Sequence, residues 1–393
     1  MSGLRRYDYM LFLPALMLAV IGLVIVYSAS ATLAREKLGG EYFFLVRHAV
    51  YFGAGIVACL VFAHVPYSML GKLSPLIVFV TLVALALVFV PHVGQTRGGA
   101  TRWIGVGPFT FQPSEMAKVA LVVYLARYAS RERDLTLFTE GYVKPGIVAG
   151  LLILPILAQP DFGTTVILST TFLLVLYCAG TRAIQPLALF AAAVPIAGFL
   201  IFHSDYRRRR LLAFMNPWSD VSHDGFQVIQ SMLSFHGGGV LGRGLGEGRQ
   251  KLFFLPEAHS DFVLAVVGEE LGWIGVAVVF GCFALLISRG YQVAMRQGDP
   301  FGRLLAFGIT TLLGLQAAIN GAVVLGLLPT KGLTLPFVSY GGTSLMVTLG
   351  MVGILMNVSA HTDLESAPDR ERKGTALAMA SGAFMKPGMG GIS

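Results

Sequence analysis

Asp261 stands where a polar stretch, Leu255-Pro-Glu-Ala-His-Ser-Asp261, gives way to the apolar run 262–267. A carboxylate at such a boundary is either an N-cap or first-turn anion favoured by the helix dipole, or a hydrogen-bonding base that the same dipole keeps ionised at some cost in basicity. A second motif is Phe111-Gln-Pro-Ser-Glu115-Met-Ala-Lys118, in which Pro113 and Ser114 mark a helix start and Glu115 and Lys118 fall at i, i+3, close enough to pair. Inside a membrane such charges cost about 2.5–3.5 kcal/mol each on insertion scales, so they turn to the interior, either as a pair that fixes packing or as working groups. The third group is basic: Arg207, Arg208, Arg209 and Arg210 run consecutively in a long polar segment that also holds Gln230, Arg243, Arg249 and Lys251. An anionic ligand is one reason for such a segment. Its glycine-rich part, 237–248, lacks the Lys-Ser/Thr ending of a phosphate-cradling loop and follows no strand, which speaks against a nucleotide. Glu269 and Glu270, two turns beyond Asp261, require partners such as an arginine or a backbone nest.

The elements that must hold these residues are membrane spans. Of 393 residues 55% are hydrophobic and only 13% charged, with mean hydropathy +0.72, more apolar than a water-soluble core of this size needs. A span takes about 20 apolar residues, and the chain offers roughly ten: 10–30, 46–66, 74–91, 114–130, 143–159, 162–180, 184–203, 261–288, 304–326 and 337–359. The expected fold is therefore all-α, a polytopic transmembrane bundle over 1–360 with a long outer loop, 204–260, between spans seven and eight. A polar tail, 361–393, is expected to be disordered in the cytoplasm. The first apolar run exceeds a signal-peptide core, so it reads as a helix although Ala29-Ser30-Ala31 imitates a cleavage site.

With both termini cytoplasmic, Arg5, Arg6, Lys72, Arg131, Arg182 and Arg303 lie inside; Arg35, Lys37 and Arg47 near the first outer loop stand against this orientation, which the short connections decide by majority. The polar segments 92–113, 158–164, 204–260 and 327–336 then all lie outside. The net charge of +8 divides between this topology signal and the outer loop, and no nucleic-acid module accompanies it. Cys59, Cys178 and Cys282 fall within spans at spacings that suit neither a metal nor a disulfide framework. The Gly- and Pro-rich stretch 325–342 reads either as a plain loop and helix start or as one that also lines a cavity.

Several segments in order resemble the SEDS family (shape, elongation, division and sporulation) over nearly the whole chain before the tail. They are Arg102-Trp103, Phe111-Gln-Pro-Ser-Glu115 with Lys118, Gln159-Pro-Asp161-Phe-Gly163-Thr164, Gln230-Ser231, Leu255-Pro-Glu-Ala-His-Ser-Asp261-Phe, Glu269-Glu270-Leu-Gly272 and Pro336-Phe-Val-Ser339-Tyr340-Gly341-Gly342. Pro256-Glu-Ala-His259 and Pro329-Thr330-Lys331-Gly332-Leu-Thr-Leu-Pro336 are similar to the division branch rather than the elongation branch. Ser234-Phe-His236 departs from the family pattern.

The resemblance implies a peptidoglycan glycosyltransferase of the bacterial inner membrane, working at the division septum. It would polymerise lipid II beside a class B penicillin-binding protein and other division proteins. It assigns the catalytic role to Asp261 and makes Arg102, Glu115, Lys118 and Gln230 important neighbours. The chemistry asks for little more. An acceptor hydroxyl needs one base, and a polyprenyl diphosphate leaves unprotonated if cations meet its charge. Arg102, Lys118, Arg207 and Arg210 are the candidates, with Lys331 and Ser339 as further substrate contacts. Mg2+ would serve the same end, but the sequence offers no metal-ligand set. The competing readings are a lipid II flippase or transporter, for which intramembrane charge pairs are equally natural, a non-catalytic scaffold, and an elongation-type polymerase.

Overall fold

The computed structural model describes residues 7–38, 40–97, 100–106, 109–131, 133–220, 225–250, 258–330 and 332–382. Its helices are α1 (Tyr9–Leu38), α2 (Phe43–His64), α3 (Tyr67–Leu87), α4 (Pro113–Ala129), α5 (Lys144–Ala158), α6 (Phe162–Cys178), α7 (Ile184–Phe202), α8 (Asp205–Met215), α9 (Phe226–Gly238), α10 (Val263–Glu270), α11 (Gly272–Arg296), α12 (Pro300–Val324) and α13 (Gly342–Gly382). The ten expected spans correspond to α1–α7 and α11–α13. By length and apolar composition α1, α2, α3, α5 with its preceding π-turn, α11, α12 and α13 are able to cross a bilayer, and α6 and α7 are apolar but shorter. Helix α4 carries Glu115 and Lys118 yet lies in the interior against α3, α6 and α12.

Local chemistry sets the starts that matter for the site. Asp299 caps α12 by accepting from the Gly302 N–H at 2.9 Å, with Pro300 in the first turn. Asp161 caps α6, accepting from the Thr164 N–H at 3.1 Å and its hydroxyl at 2.9 Å. The core centres on α12 and α13, whose most apolar windows are 67% and 89% buried, while α2 is 17% buried and presents its other faces to lipid. Close packing of α13 on α2 depends on Gly353, where a Cβ would stand 2.2 Å from the Cys59 carbonyl oxygen.

Two features differ from expectation. The outer segment 92–113 is not simple loop: it holds an antiparallel sheet of β1 (Gly94–Arg97), β2 (Ala100–Val106) and β3 (Phe109–Phe111), in that order. Thr101, Trp103, Ile104 and Phe111 supply the β-branched and aromatic side chains that suit strands. The expected single span 261–288 is two helices, α10 and α11, broken at Gly272 in a left-handed conformation (φ +66°). Helix α13 is described as far as Gly382. Its Glu, Arg, Lys and Ala residues are good helix formers.

Candidate active site

The polar segments converge on one end of the bundle. Arg102, on β2, donates from Nε to the Gln159 carbonyl at 2.9 Å and from Nη2 to the Pro160 carbonyl at 2.7 Å, tying the sheet to the α5–α6 turn. Arg210, on α8, donates to the Thr330 carbonyl at 3.3 Å. The Arg207 guanidinium sits 5.8 Å above the Phe162 ring. Arg102, Phe162, Arg207, Arg210, Thr330 and Gly332 line a crevice of about 90 Å³. A Cβ on Gly332 would stand 3.3 Å from Asp261 Oδ2 and 3.8 Å from Arg102 Nη1. A bare glycine therefore separates the acid from the first of three guanidinium groups.

Asp261 is half-buried in the turn before α10. The N-cap is Phe262, with no side-chain cap bond, so Asp261 precedes the helix by one position more than an N-cap would. Its turn is held from two sides. The Tyr340 N–H donates to the His259 carbonyl at 2.9 Å, and the rings of Phe44, His259 and Tyr340 pack at centroid distances of 5.0–5.5 Å. From α12, Asn320 Nδ2 donates to the Asp261 carbonyl at 3.1 Å and to the Leu333 carbonyl at 2.6 Å.

The Glu115–Lys118 pair forms as the spacing requires, at 2.8 Å. Lys118 is only 1% exposed, however, and also donates to Gln316 Oε1 at 3.1 Å. Gln316 in turn donates to the Thr334 carbonyl at 3.1 Å. The expectation that Lys118 offers a cation to a diphosphate is thus not met: α12 covers it, and it supports the 333–336 backbone through Gln316 instead. Ser339 is also buried, its hydroxyl accepting from the Leu335 N–H at 2.8 Å and closing a turn. Gln230 lies half-buried on α9 and is not among the crevice residues; its carbonyl accepts from the Ser234 hydroxyl at 3.0 Å. Lys331 lies outside the described residues.

The buried acids of α10 find the partners their burial demands. Glu269 accepts from the Arg249 N–H at 2.8 Å and the Gln250 N–H at 3.1 Å, with Arg243 at 3.5 Å, while Glu270 accepts from the Ser28 hydroxyl at 2.7 Å. A larger hollow of about 540 Å³ lies nearby between α1 and the glycine-rich loop. It includes neither Asp261 nor the three arginines of the crevice, so size and chemistry part company here. Among the described residues no three His, Cys, Asp or Glu side chains gather as a metal-ligand set.

Sequence reasoning passed over Gln316, Asn320 and Gly332. The signal was present: two amide side chains four residues apart share one face in the otherwise apolar stretch 312–324.

The family model described as a cell cycle protein, covering FtsW, RodA and SpoVE, matches residues 8–364. A Geobacter sulfurreducens protein named "Probable peptidoglycan glycosyltransferase FtsW" is 47% identical over 366 residues, 93% of this chain and 98% of that one. Stage V sporulation protein E of Bacillus subtilis is 39% identical, over 90% of this chain and 97% of its own. Among solved structures, one described as showing structural coordination of polymerization and crosslinking by a peptidoglycan synthase complex matches with TM-score 0.74 and 29% identity, covering 91% of this chain and 98% of that one. The rod shape determining protein RodA of Thermus thermophilus matches with TM-score 0.67 and 26% identity, over 91% and 97%.

Proposed function

The chain belongs to the family of FtsW, RodA and SpoVE, the SEDS proteins, and we propose from that premise that it is a division-type peptidoglycan glycosyltransferase polymerising lipid II. The observation that carries the chemistry is the meeting of the Asp261 carboxylate and the Arg102 guanidinium at Gly332, in a crevice that Arg207 and Arg210 also line.

In this reading Asp261 takes the proton from an acceptor sugar hydroxyl as its oxygen attacks the donor's anomeric carbon. The new C–O bond forms as the bond to the diphosphate breaks, and the α-linkage inverts to β. The polyprenyl diphosphate departs with the bonding electron pair, and Arg102, Arg207 and Arg210 meet its charge. A second carboxylate is needed only where the leaving group must be protonated, as in hydrolases. Lipid-linked donor and acceptor keep their tails in the bilayer, which suits a crevice at the end of a helical bundle. The bundle is a multi-pass inner-membrane protein, and we place the crevice at its outer face, the termini in the cytoplasm and the protein at the septum. A class B penicillin-binding protein is the proposed partner, because the similar solved complex couples polymerization to crosslinking.

The test is polymerisation of lipid II in detergent by purified Asp261→Asn. Loss of polymer with wild-type folding is expected. Near-normal chain elongation would remove Asp261 from the mechanism, while movement of labelled lipid II across vesicles without any polymer would favour a flippase.

A further inference from the structure

We propose that Asn320 is a positioning residue for the base, one that sets where the Asp261 carboxylate stands relative to the arginine-lined crevice. The inference rests on the role given above to Asp261. Asn320 is 1% exposed on the last turns of α12, and both hydrogens of its amide nitrogen are spent on carbonyls of two different segments, that of Asp261 at 3.1 Å and that of Leu333 at 2.6 Å. The second carbonyl is next to Gly332, whose missing side chain leaves the space between Asp261 Oδ2 and Arg102 Nη1. One amide group therefore fixes the spacing between the backbone bearing the acid and the backbone forming the crevice floor. Its orientation is unambiguous, since the flipped amide would press Oδ1 against two carbonyl oxygens. Asn320 Oδ1 is buried and has no hydrogen-bond partner among the described residues, a cost that the two donated bonds offset.

Gln316 repeats the device one turn earlier. It accepts from Lys118 and donates to the Thr334 carbonyl at 3.1 Å, so α12 holds three backbone carbonyls, those of Asp261, Leu333 and Thr334, through residues four apart. The anchor of this ladder is the Glu115–Lys118 pair, itself sealed from solvent. Asn320 differs from Gln316 in reaching the acid's own backbone, and so acts on the reacting geometry through Asp261 alone.

The experiment compares Asn320→Leu, Asp261→Asn and the double variant in steady-state lipid II polymerisation, with thermal melting in detergent recorded for each. Asn320→Leu should lower kcat by roughly 10- to 100-fold, the scale expected when a reacting group is displaced by about 1 Å, and leave KM within about twofold. The double variant should be no slower than Asp261→Asn alone, because Asn320 has nothing left to position once the carboxylate is gone. Should Asn320→Leu fail to fold, Asn320→Thr, which keeps one donor, carries the same comparison with a smaller fall in kcat. A wild-type kcat in either folded variant, a loss confined to KM, or losses that multiply in the double variant would overturn the inference while leaving Asp261 in place. Full activity of Asp261→Asn would instead remove the reading on which it rests.

Discussion

At the scale of single residues, burial separates the groups that can touch a substrate from those that hold the site together. Arg102, Arg207 and Arg210 line the crevice, whereas Glu115 and Lys118 are 4% and 1% exposed and pair with one another at 2.8 Å through Glu115 Oε1. A buried pair adds little net stability over apolar residues of similar volume, but removing one partner costs about 3–5 kcal/mol. Lys118→Met alone should therefore lower the melting temperature of the purified protein sharply. Glu115→Met combined with Lys118→Met should recover most of that loss and still polymerise poorly, because Gln316 no longer receives the Lys118 ammonium that orients it toward the Thr334 carbonyl. Wild-type polymerisation by a stable double variant would show the pair to be packing alone. The pairing of Glu115 with Lys118 was legible from their i, i+3 spacing, and the boundary position of Asp261 from the polarity change around it. That Lys118 faces α12 rather than the crevice was not legible, because it depends on Gln316, nearly two hundred residues away, and no local pattern encodes so distant a contact.

At the scale of elements, the instructive departure is the division of the expected span 261–288 into α10 and α11. Apolar residues flank the Glu269-Glu270 pair on both sides, so the overall pattern extends one helix through the junction. The break is a backbone event: Leu271 caps α10, and Gly272 follows in the left-handed conformation that commonly ends helices. The last carbonyls of α10 are then taken by the glycine-rich loop, with the Arg243 N–H on Glu269 and the Gly244 N–H on Glu270, both at 3.0 Å. In the sequence the cue was Gly272 directly after Glu-Glu-Leu, a stop signal hidden within an apolar run. The same loop supplies the backbone nest for Glu269, so the junction, the buried acids and the turn bearing Asp261 form one connected support. A side chain at 272 would carry a left-handed strain of about 1–3 kcal/mol, and its Cβ would stand 2.4 Å from Gly242 N and from the Val240 carbonyl oxygen. Gly272→Ala should accordingly lower both melting temperature and polymerisation, whereas Gly281→Ala on α11, where a Cβ meets nothing within 4 Å, should leave both unchanged. Equal behaviour of the two variants would show that the break does not depend on glycine.

At the scale of the whole molecule, the placement of spans was readable because each is dictated by the thickness of the bilayer, and their connectivity then places the four polar segments at one end. The bonds from Arg102 to the 159–160 turn, from Arg210 to Thr330 and from Asn320 to Asp261 and Leu333 join segments that are remote in the sequence, and they make that end a single surface. What charge counting adds is the side of the membrane. In the orientation proposed above, short connections that carry arginine, such as 130–138, lie in the cytoplasm and the crevice faces outward. Two exposed positions separate the alternatives: Glu247 in the glycine-rich loop and Arg131 in the α4–α5 connection. In intact spheroplasts, with the exposed native Cys178 replaced by Ser, a membrane-impermeant maleimide should label Glu247→Cys at once and Arg131→Cys only after permeabilisation. The reverse pattern would turn the crevice toward the cytoplasm, where the arginines would face nucleotides and soluble anions, and polymerisation on the outer surface would no longer be open to Asp261.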